Sequence, residues 1–521
     1  MEENKISKGK EILAILLLTM VIGTGTIAWI VWSSKDNTKM NVTIGDLADV
    51  SFKSGNDINI SNLSPSFYYD DGALTEFSIR KKKGLTTELN TNIYLDITSI
   101  SDELKNDNFK YVLLSSSDGN TYNEVISSSF KDASIGKLSI VTDSPLTDGK
   151  TYYKFYIWID GNNENNETMQ GKSLKGTLNV DVSTPPVNAV TLVEGLDKGE
   201  TGDSGSGVYK VTHSAIPASS SATGSEIPAV TDYRYYGPSP NNYICLDMEG
   251  GSTCPDKHLY RIIGSIYEEK ENTNRIKVIK ATPLTDGTTK GFSWDYKVNN
   301  GSVSYDNIWA TITSGNYSNS LTSGASLMQL LNSGAWWNGT SGSYYNNSTT
   351  ATTVNFTNYK LSDKAKSYIT TSRYYLGGYN KSSGVMTNQF YAYERGTTRY
   401  DTNRPLYWDG MVGLMYSSDY GYAAGNSCVT GTDPFNYIVG CKNKDWLWMT
   451  TSSDYTNTAE WLMLPNSGNS RFVFNVYSSG YVFDSGHSSN TYAVRPVFYL
   501  TSSTSILEGT GEENNPYIIT K

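Results

Sequence analysis

The sequence predicts a multidomain, mostly β chain: an N-terminal transmembrane helix, an all-β sandwich of jelly-roll type, and a distal α+β domain with long loops. Three observations carry that expectation. At 521 residues the chain exceeds what a single hydrophobic core supports, so two or three domains are expected. Only 18% of residues are charged while Tyr (39) and Gly (46) are abundant, a composition that suits strands joined by turns. The third observation is ILAILLLTMVIGTGTIAWIVWSS, Ile12 to Ser34, which carries no charge.

That stretch is long enough to cross a bilayer, which takes about 20 apolar residues. Lys5, Lys8 and Lys10 precede it, and Trp29 and Trp32 near its far end suit interfacial anchors. Residues 1–11 then form a cytoplasmic tail and 12–34 a signal-anchor helix, giving a single-pass protein of the cell membrane with an extracellular C-terminal region. The competing reading is a cleavable signal peptide, whose apolar region runs to about 7–15 residues. Under both, everything after about Lys35 lies outside the cytoplasm. The four cysteines agree with export: Cys245 and Cys254, Cys428 and Cys441, each pair flanking a short turn-rich stretch. A zinc site would need tighter Cys spacing or His partners, and the chain has only three His. Two local disulfides, Cys245–Cys254 and Cys428–Cys441, are therefore expected. A net charge of -10 with no basic stripe argues against nucleic acid as a partner.

Residues 40–184 read as the sandwich. NTNIYLDITSI (90–100), KYVLLSSS (110–117), TYYKFYIWIDG (151–161) and GTLNVDVS (176–183) alternate apolar and polar, separated by turns such as SDGN and TDGK. SDELKNDNF (101–109) is a short helix or a loop. Residues 185–230 are rich in Gly, Ser and Pro and read as a linker, with one short strand (VYKVTHS) inside it. Residues 231–521 hold thirty of the 39 Tyr and eight of the 11 Trp. Helical signals there are few: ASLMQLLN (325–332), with Leu327, Leu330 and Leu331 on one face, and LSDKAKSYI (361–369), with Ser362 as N-cap.

TYYKFYIWIDGNNENN with GKSLKGTLNVDV, and the GTGTIAW of the export segment, resemble the camelysin-like family of exported Gram-positive surface and biofilm-fibre proteins. Some members were described as metalloproteases. This chain lacks His-Glu-x-x-His and has no His before His213, so no protease activity is carried over. DYRYYGPSPNNYICL, LYRIIGSI, GLMYSSDYGYA, WLWMT and YAVRPVFYL, ending in GTGEENNPYIIT, resemble surface proteins of gut Firmicutes with C-type-lectin-like domains of the sulfatase-modifying-factor kind. The resemblance implies a C-type-lectin-like fold for 231–521. It says little about function, because that fold hosts enzymes, lectins and hypervariable binders.

Chemistry is sparse. His213, His258 and His487 are scattered, and carboxylate pairs such as Glu268/Glu269 read as solvated turns. The calcium-lectin motifs are absent, WDG (408–410) echoes one only in part, and Trp408 reads equally well as core. DGNNENNE (160–167) offers oxygen ligands without EF-hand spacing, so calcium has no motif behind it and no cofactor is expected. Binding by surface shape remains. A paratope-like composition of Tyr, Ser, Gly and Asn with Trp or Arg anchors occurs twice. GAWWNGTSGSYYNNSTT (334–350) offers Trp336, Trp337, Tyr344 and Tyr345, with core tryptophans as the competing reading for the first two. Residues 464–492 offer Asn466, Asn469, Arg471, Asn475, Tyr477, Asp484 and His487, polar neighbours of the inward Phe472, Phe474, Val476 and Val482.

These features point to an adhesin-like cell-surface binding protein for extracellular glycan or protein ligands. The alternative is a structural surface or fibre subunit that self-assembles. Less favoured are a hypervariable binder diversified by a retroelement and a degenerate enzyme. In YAVRPVFYL, Pro496 marks a bulge or edge, and Arg495 is expected to hold loop carbonyls or a carboxylate rather than a ligand.

Overall fold

A computed structural model describes residues 47–83, 85, 88–162, 166–311, 324–429, 441–448 and 459–521, and the backbone alone of 40–44. Strands make up 43% and helices 14%. The segment expected to span the membrane, 12–34, lies outside the described residues. Among those, no helix is long and apolar enough to cross a membrane. The chain divides into two compact units, Met1–Pro185 and Pro186–Lys521.

The first unit has eleven strands: β1 (Met40–Ile44), β2 (Ala48–Phe52), β3 (Asp57–Ser61), β4 (Pro65–Ser66), β5 (Ala73–Lys81), β6 (Asn90–Ile100), β7 (Phe109–Ser116), β8 (Asn123–Ser129), β9 (Gly136–Pro145), β10 (Lys150–Asp160) and β11 (Ser173–Ser183). They form two sheets, β1-β2-β5-β10-β7-β8 with β4 beside β10, and β3-β11-β6-β9. Phe52, Phe77, Leu113 and Phe155 from one sheet and Leu95 and Leu178 from the other share one core, the expected sandwich. Period-two burial is clean along β11. Along β10 it fails, because Tyr156 and Trp158 on the outer face are buried too, with Val112 and Leu114. Tyr69, from a short 3-10 turn at Tyr69–Asp71, covers them with ring centroids 5.3 and 6.1 Å away. Residues 101–109 hold a single 3-10 turn, Asp102–Leu104.

The second unit is built on one sheet. Strands Val187–Asn188, Ser505–Glu508, Tyr517–Thr520, Tyr243–Cys245, Leu259–Glu268, Thr273–Lys280, Val497–Leu500 and Ile369–Thr370 lie in that order, and Val230–Tyr236 pairs both Leu259–Glu268 and Gly207–His213. The expected linker, 185–230, is therefore corrected: residues 186–230 belong to the distal fold. Asn188 caps helix Ala189–Gly195, its Oδ1 accepting from Val190 N and Thr191 N. Strand Gly207–His213 pairs along its whole length with Val230–Tyr236. The short strand read at VYKVTHS is present, but it is no linker strand: its Val208, Tyr209, Val211 and His213 are all buried. Helices Ser326–Asn332 and Asp363–Ser367 fall where expected, with Ser362 Oγ accepting from Ala365 N at 3.0 Å. Both expected disulfides are present.

In YAVRPVFYL the strand is Val497–Leu500, paired with Lys277–Ile279 and Ile369–Thr370. Pro496 sits just outside this ladder, where its missing N–H costs nothing, and its carbonyl accepts from Lys280 N at 3.0 Å. Arg495 is 2% exposed and donates from Nε and Nη2 to Glu460 Oε1 and Oε2 at 2.7 and 2.9 Å, and from Nη2 to the Leu447 carbonyl at 2.7 Å.

Candidate functional site

The residues singled out for binding do not share one surface. In the first stretch, Trp336 and Tyr344 are core residues, the Tyr344 hydroxyl donating to the Ser293 carbonyl at 2.5 Å. Trp337 and Tyr345 are half-buried. Lys366 Nζ lies 5.2 Å from the Trp337 ring. Trp408 is also core. Along Phe472–Tyr477 the expected in-out alternation breaks down, since Val473, Phe474, Asn475 and Val476 are all buried. The strand is sandwiched between Ala459–Pro465 and Val482–His487, with core on both faces. Asn475 faces inward, not out: its Nδ2 donates to Val473 and Phe483 carbonyls.

The rest of the second stretch does reach the surface, and two loops invisible to local sequence reasoning meet it there. Asn466 is buried but shapes its own loop: Oδ1 accepts from Gly468 N and Asn469 N at 2.8 and 3.1 Å, and Nδ2 donates to the Asp484 carbonyl. Asn469 Oδ1 accepts from Arg471 N. The Arg471 guanidinium lies 5.2 Å from the Tyr305 ring, which also meets the His487 ring at 4.7 Å and the Tyr296 ring at 6.2 Å. His487 Nδ1 is 2.7 Å from Ser489 Oγ, and burial with the nearby Arg471 charge lowers its pKa. Asp484 Oδ2 accepts from Ser382 N at 2.8 Å, and Tyr477 stacks on Tyr481.

Beside this rim lies a small cleft of about 20 Å³, open to solvent, floored by Trp309 and walled by Leu376, Arg399, Tyr400, Pro405 and Pro465. Asn307 ties it together. Fully buried, it donates from Nδ2 to the Asn466, Asn469 and Phe472 carbonyls at 2.8, 2.9 and 2.7 Å, and its own N–H donates to Ser470 O at 2.7 Å. Its Oδ1 accepts from Arg404, which also pairs with Asp306 at 2.9 Å. One amide thus fastens the 466–472 loop to the opposite wall. Beneath it, Trp309 packs on Trp294 and Trp408 with centroids 4.9 and 6.2 Å apart. Tyr400 projects at the edge, 48% exposed, with the Arg404 guanidinium 5.0 Å from its ring. The signal for this wall was the interleaved TRYDTNR at 398–404.

The distal unit also holds a convergent set of charges, but in its interior. His213 Nε2 meets Asp232 Oδ2 at 2.8 Å, and Arg234 donates to Asp232 at 2.7 Å and to Asp419 at 3.0 Å. Lys277 Nζ reaches Asp419 at 2.5 Å. Glu394 accepts from Ser418 N and Oγ and pairs with Arg395 at 3.3 Å. Burial raises the carboxyl pKa of Asp232 and Asp419, but Arg234 with His213 outweighs it at Asp232, held well below the usual range, and Lys277 with Arg234 outweighs it at Asp419, which is also lowered. Burial wins at Glu394, pushed up to about 7 despite Arg395. Every member is solvent-inaccessible, so the cluster reads as framework holding strands to helices. Glu268, read from sequence as a solvated turn, is buried as well, accepting from Arg373 N at 2.7 Å. In the oxygen-rich hairpin, part of which lies outside the described residues, Asp160 is engaged by Lys110 and Asn162. Among the described residues no cluster of three or more His, Cys, Asp or Glu is placed to hold a metal.

The chain matches no protein-family model, and no curated protein aligns with it significantly.

Proposed function

We propose that this is an adhesin-like, membrane-anchored surface protein whose distal unit is a C-type-lectin-like head that binds extracellular glycan or protein. The observation that carries the reading is the aromatic and arginine-rimmed cleft with its loop wall fixed by Asn307. A pre-organised concave site with a few placed polar groups lowers the ordering cost of binding. The test is a glycan-array and mucin-binding screen of the full-length chain, repeated with Tyr400→Ala. Binding that weakens in the variant supports the head; silence on all panels speaks against it.

A structural, self-assembling subunit is favoured by one feature of the proximal unit. Phe67 and Tyr68 are 68% and 69% exposed, close in sequence to exposed Tyr69 and Leu74, an apolar group of the kind that marks contact surfaces. Sedimentation of the chain at rising concentration separates the two: discrete monomers throughout sink the assembly reading.

A further inference from the structure

We infer that the proximal sandwich rests on the lipid surface through the end that carries Phe67, Tyr68 and Ile135, an inference that depends on 12–34 being a retained membrane anchor. These are the most exposed large apolar side chains among the described residues, at 68%, 69% and 73%. They gather at one end of the sandwich. Pro65–Ser66 pairs with Ile159–Asp160 at the close of β10, so Phe67 and Tyr68 follow just past that end. Ala73, where β5 begins, faces Ile157 of the same strand, and the neighbouring Leu74 is exposed. Phe109, which opens β7, pairs with Ile159, and its carbonyl accepts from Phe130 N. Ile135 closes the loop that begins there, ahead of β9. The aromatic loop is fixed in place: Tyr69 packs on Tyr156 and Trp158, Ser66 Oγ donates to Asp71 Oδ2 at 2.6 Å, and Tyr68 N donates to Ser66 Oγ at 3.1 Å.

Strand direction identifies what covers this end. β1 runs parallel to β5 with β2 between them, and Met40 stands level with Phe77 through Phe52. The first residue of β1 is therefore the one nearest the Ala73 end, where the exposed rings lie. Five residues, 35–39, separate Ser34 from Met40, a reach of about 17 Å at full extension. A tether that short holds the sandwich against the bilayer, and the end nearest the tether is the aromatic one. Tyr and Phe suit that depth, with rings in the headgroup boundary and the Tyr hydroxyl in water. Asp70 and Asp71 sit beside them, so the attachment is apolar and gains nothing from anionic lipid. A second copy of the chain competes for the same rings, and the test separates the two.

The full-length chain is labelled with a fluorophore at Asp70→Cys, or at Asp148→Cys in the loop before β10 at the opposite end of the sandwich. The four native cysteines are held in disulfides and do not compete for the label. Each protein is reconstituted into phosphatidylcholine vesicles containing nitroxide-bearing lipids. Quenching at 70 is expected to exceed that at 148 several-fold, and to be unchanged when phosphatidylglycerol is added. Phe67→Ser with Tyr68→Ser, both at exposed positions, is expected to lower the docked-to-free ratio about tenfold at an unchanged melting temperature, the worth of two rings partly removed from water. Equal quenching at 70 and 148 in vesicle-bound protein overturns the inference and leaves the anchor standing. Quenching at 70 that survives the double serine variant, or that needs anionic lipid, also overturns it. Shielding of the label from aqueous iodide without lipid quenching, rising with protein density, assigns the rings to a second copy instead. A chain that fails to float with the vesicles removes anchor and inference together.

Discussion

Arg495→Ala tests the architecture most directly. The guanidinium and the Glu460 carboxylate are 2% and 3% exposed and joined by two hydrogen bonds of 2.7 and 2.9 Å. Truncating the arginine strands a buried carboxylate and removes the donor of the Leu447 carbonyl. Breaking a buried pair from one side costs about 3–5 kcal/mol. In a unit this large each kcal/mol is worth about 2 °C, so the melting temperature should fall by about 6–10 °C. Burial already raises the Glu460 pKa against the pull of Arg495. Without its partner Glu460 escapes the penalty by taking up a proton, so the deficit should be smaller at pH 5 than at pH 8. The double variant Arg495→Met/Glu460→Leu, which removes both charges, should recover much of the loss. Circular-dichroism melts of the three proteins suffice. A drop under 1 °C, or a double variant no better than the single one, defeats the reasoning. So does altered ligand specificity at unchanged stability.

Other expectations follow from single groups. Asn307→Ala removes the amide that serves three carbonyls, and should cost about 2–4 kcal/mol in denaturant melts while loosening the 466–472 loop to proteolysis. Equal proteolysis rates would show that the loop stands without it. Alkylation without reductant should leave the intact mass unchanged; added mass would reveal free thiols and break both Cys245–Cys254 and Cys428–Cys441. Once reduced, each short loop should lose about 2–3 kcal/mol of stability. Glu394, with its folded pKa raised to about 7 from 4.5, contributes stability that is fully present below about pH 4.5 and lost as pH rises through 7. Glu394→Gln keeps a neutral side chain, so its melting temperature should gain on the parent protein between pH 4.5 and 8; a pH-independent difference would contradict this.

The sandwich was legible because β6 and β11 alternate strongly and their turns are marked by Gly, Asp and Asn. The disulfides were legible because each pair closes a short loop. Helix Asp363–Ser367 was legible from a local cap. What failed depended on distant partners. Asn475 looked outward because one-strand alternation assumes one wet face, and this strand has none. Gly207–His213 was legible as a short strand, but its place in the distal sheet was not, because its partner Val230–Tyr236 supplies the burial that its surroundings in sequence do not suggest. The cleft was missed for the same reason: Trp309, Arg399 and Asn466 become neighbours only through Asn307.

The folding of residues 186–230 into the distal unit changes how that unit can be handled in isolation. A fragment begun at residue 231 would strip strand Gly207–His213 from Val230–Tyr236, leaving a bare edge open to pairing with other chains. It would also delete His213 from the Asp232 carboxylate and uncover Tyr391, whose ring stacks on the imidazole at 3.6 Å. Failure of so short a fragment to bind any ligand would report on a damaged sheet, whereas one begun at Pro186 keeps the sheet entire.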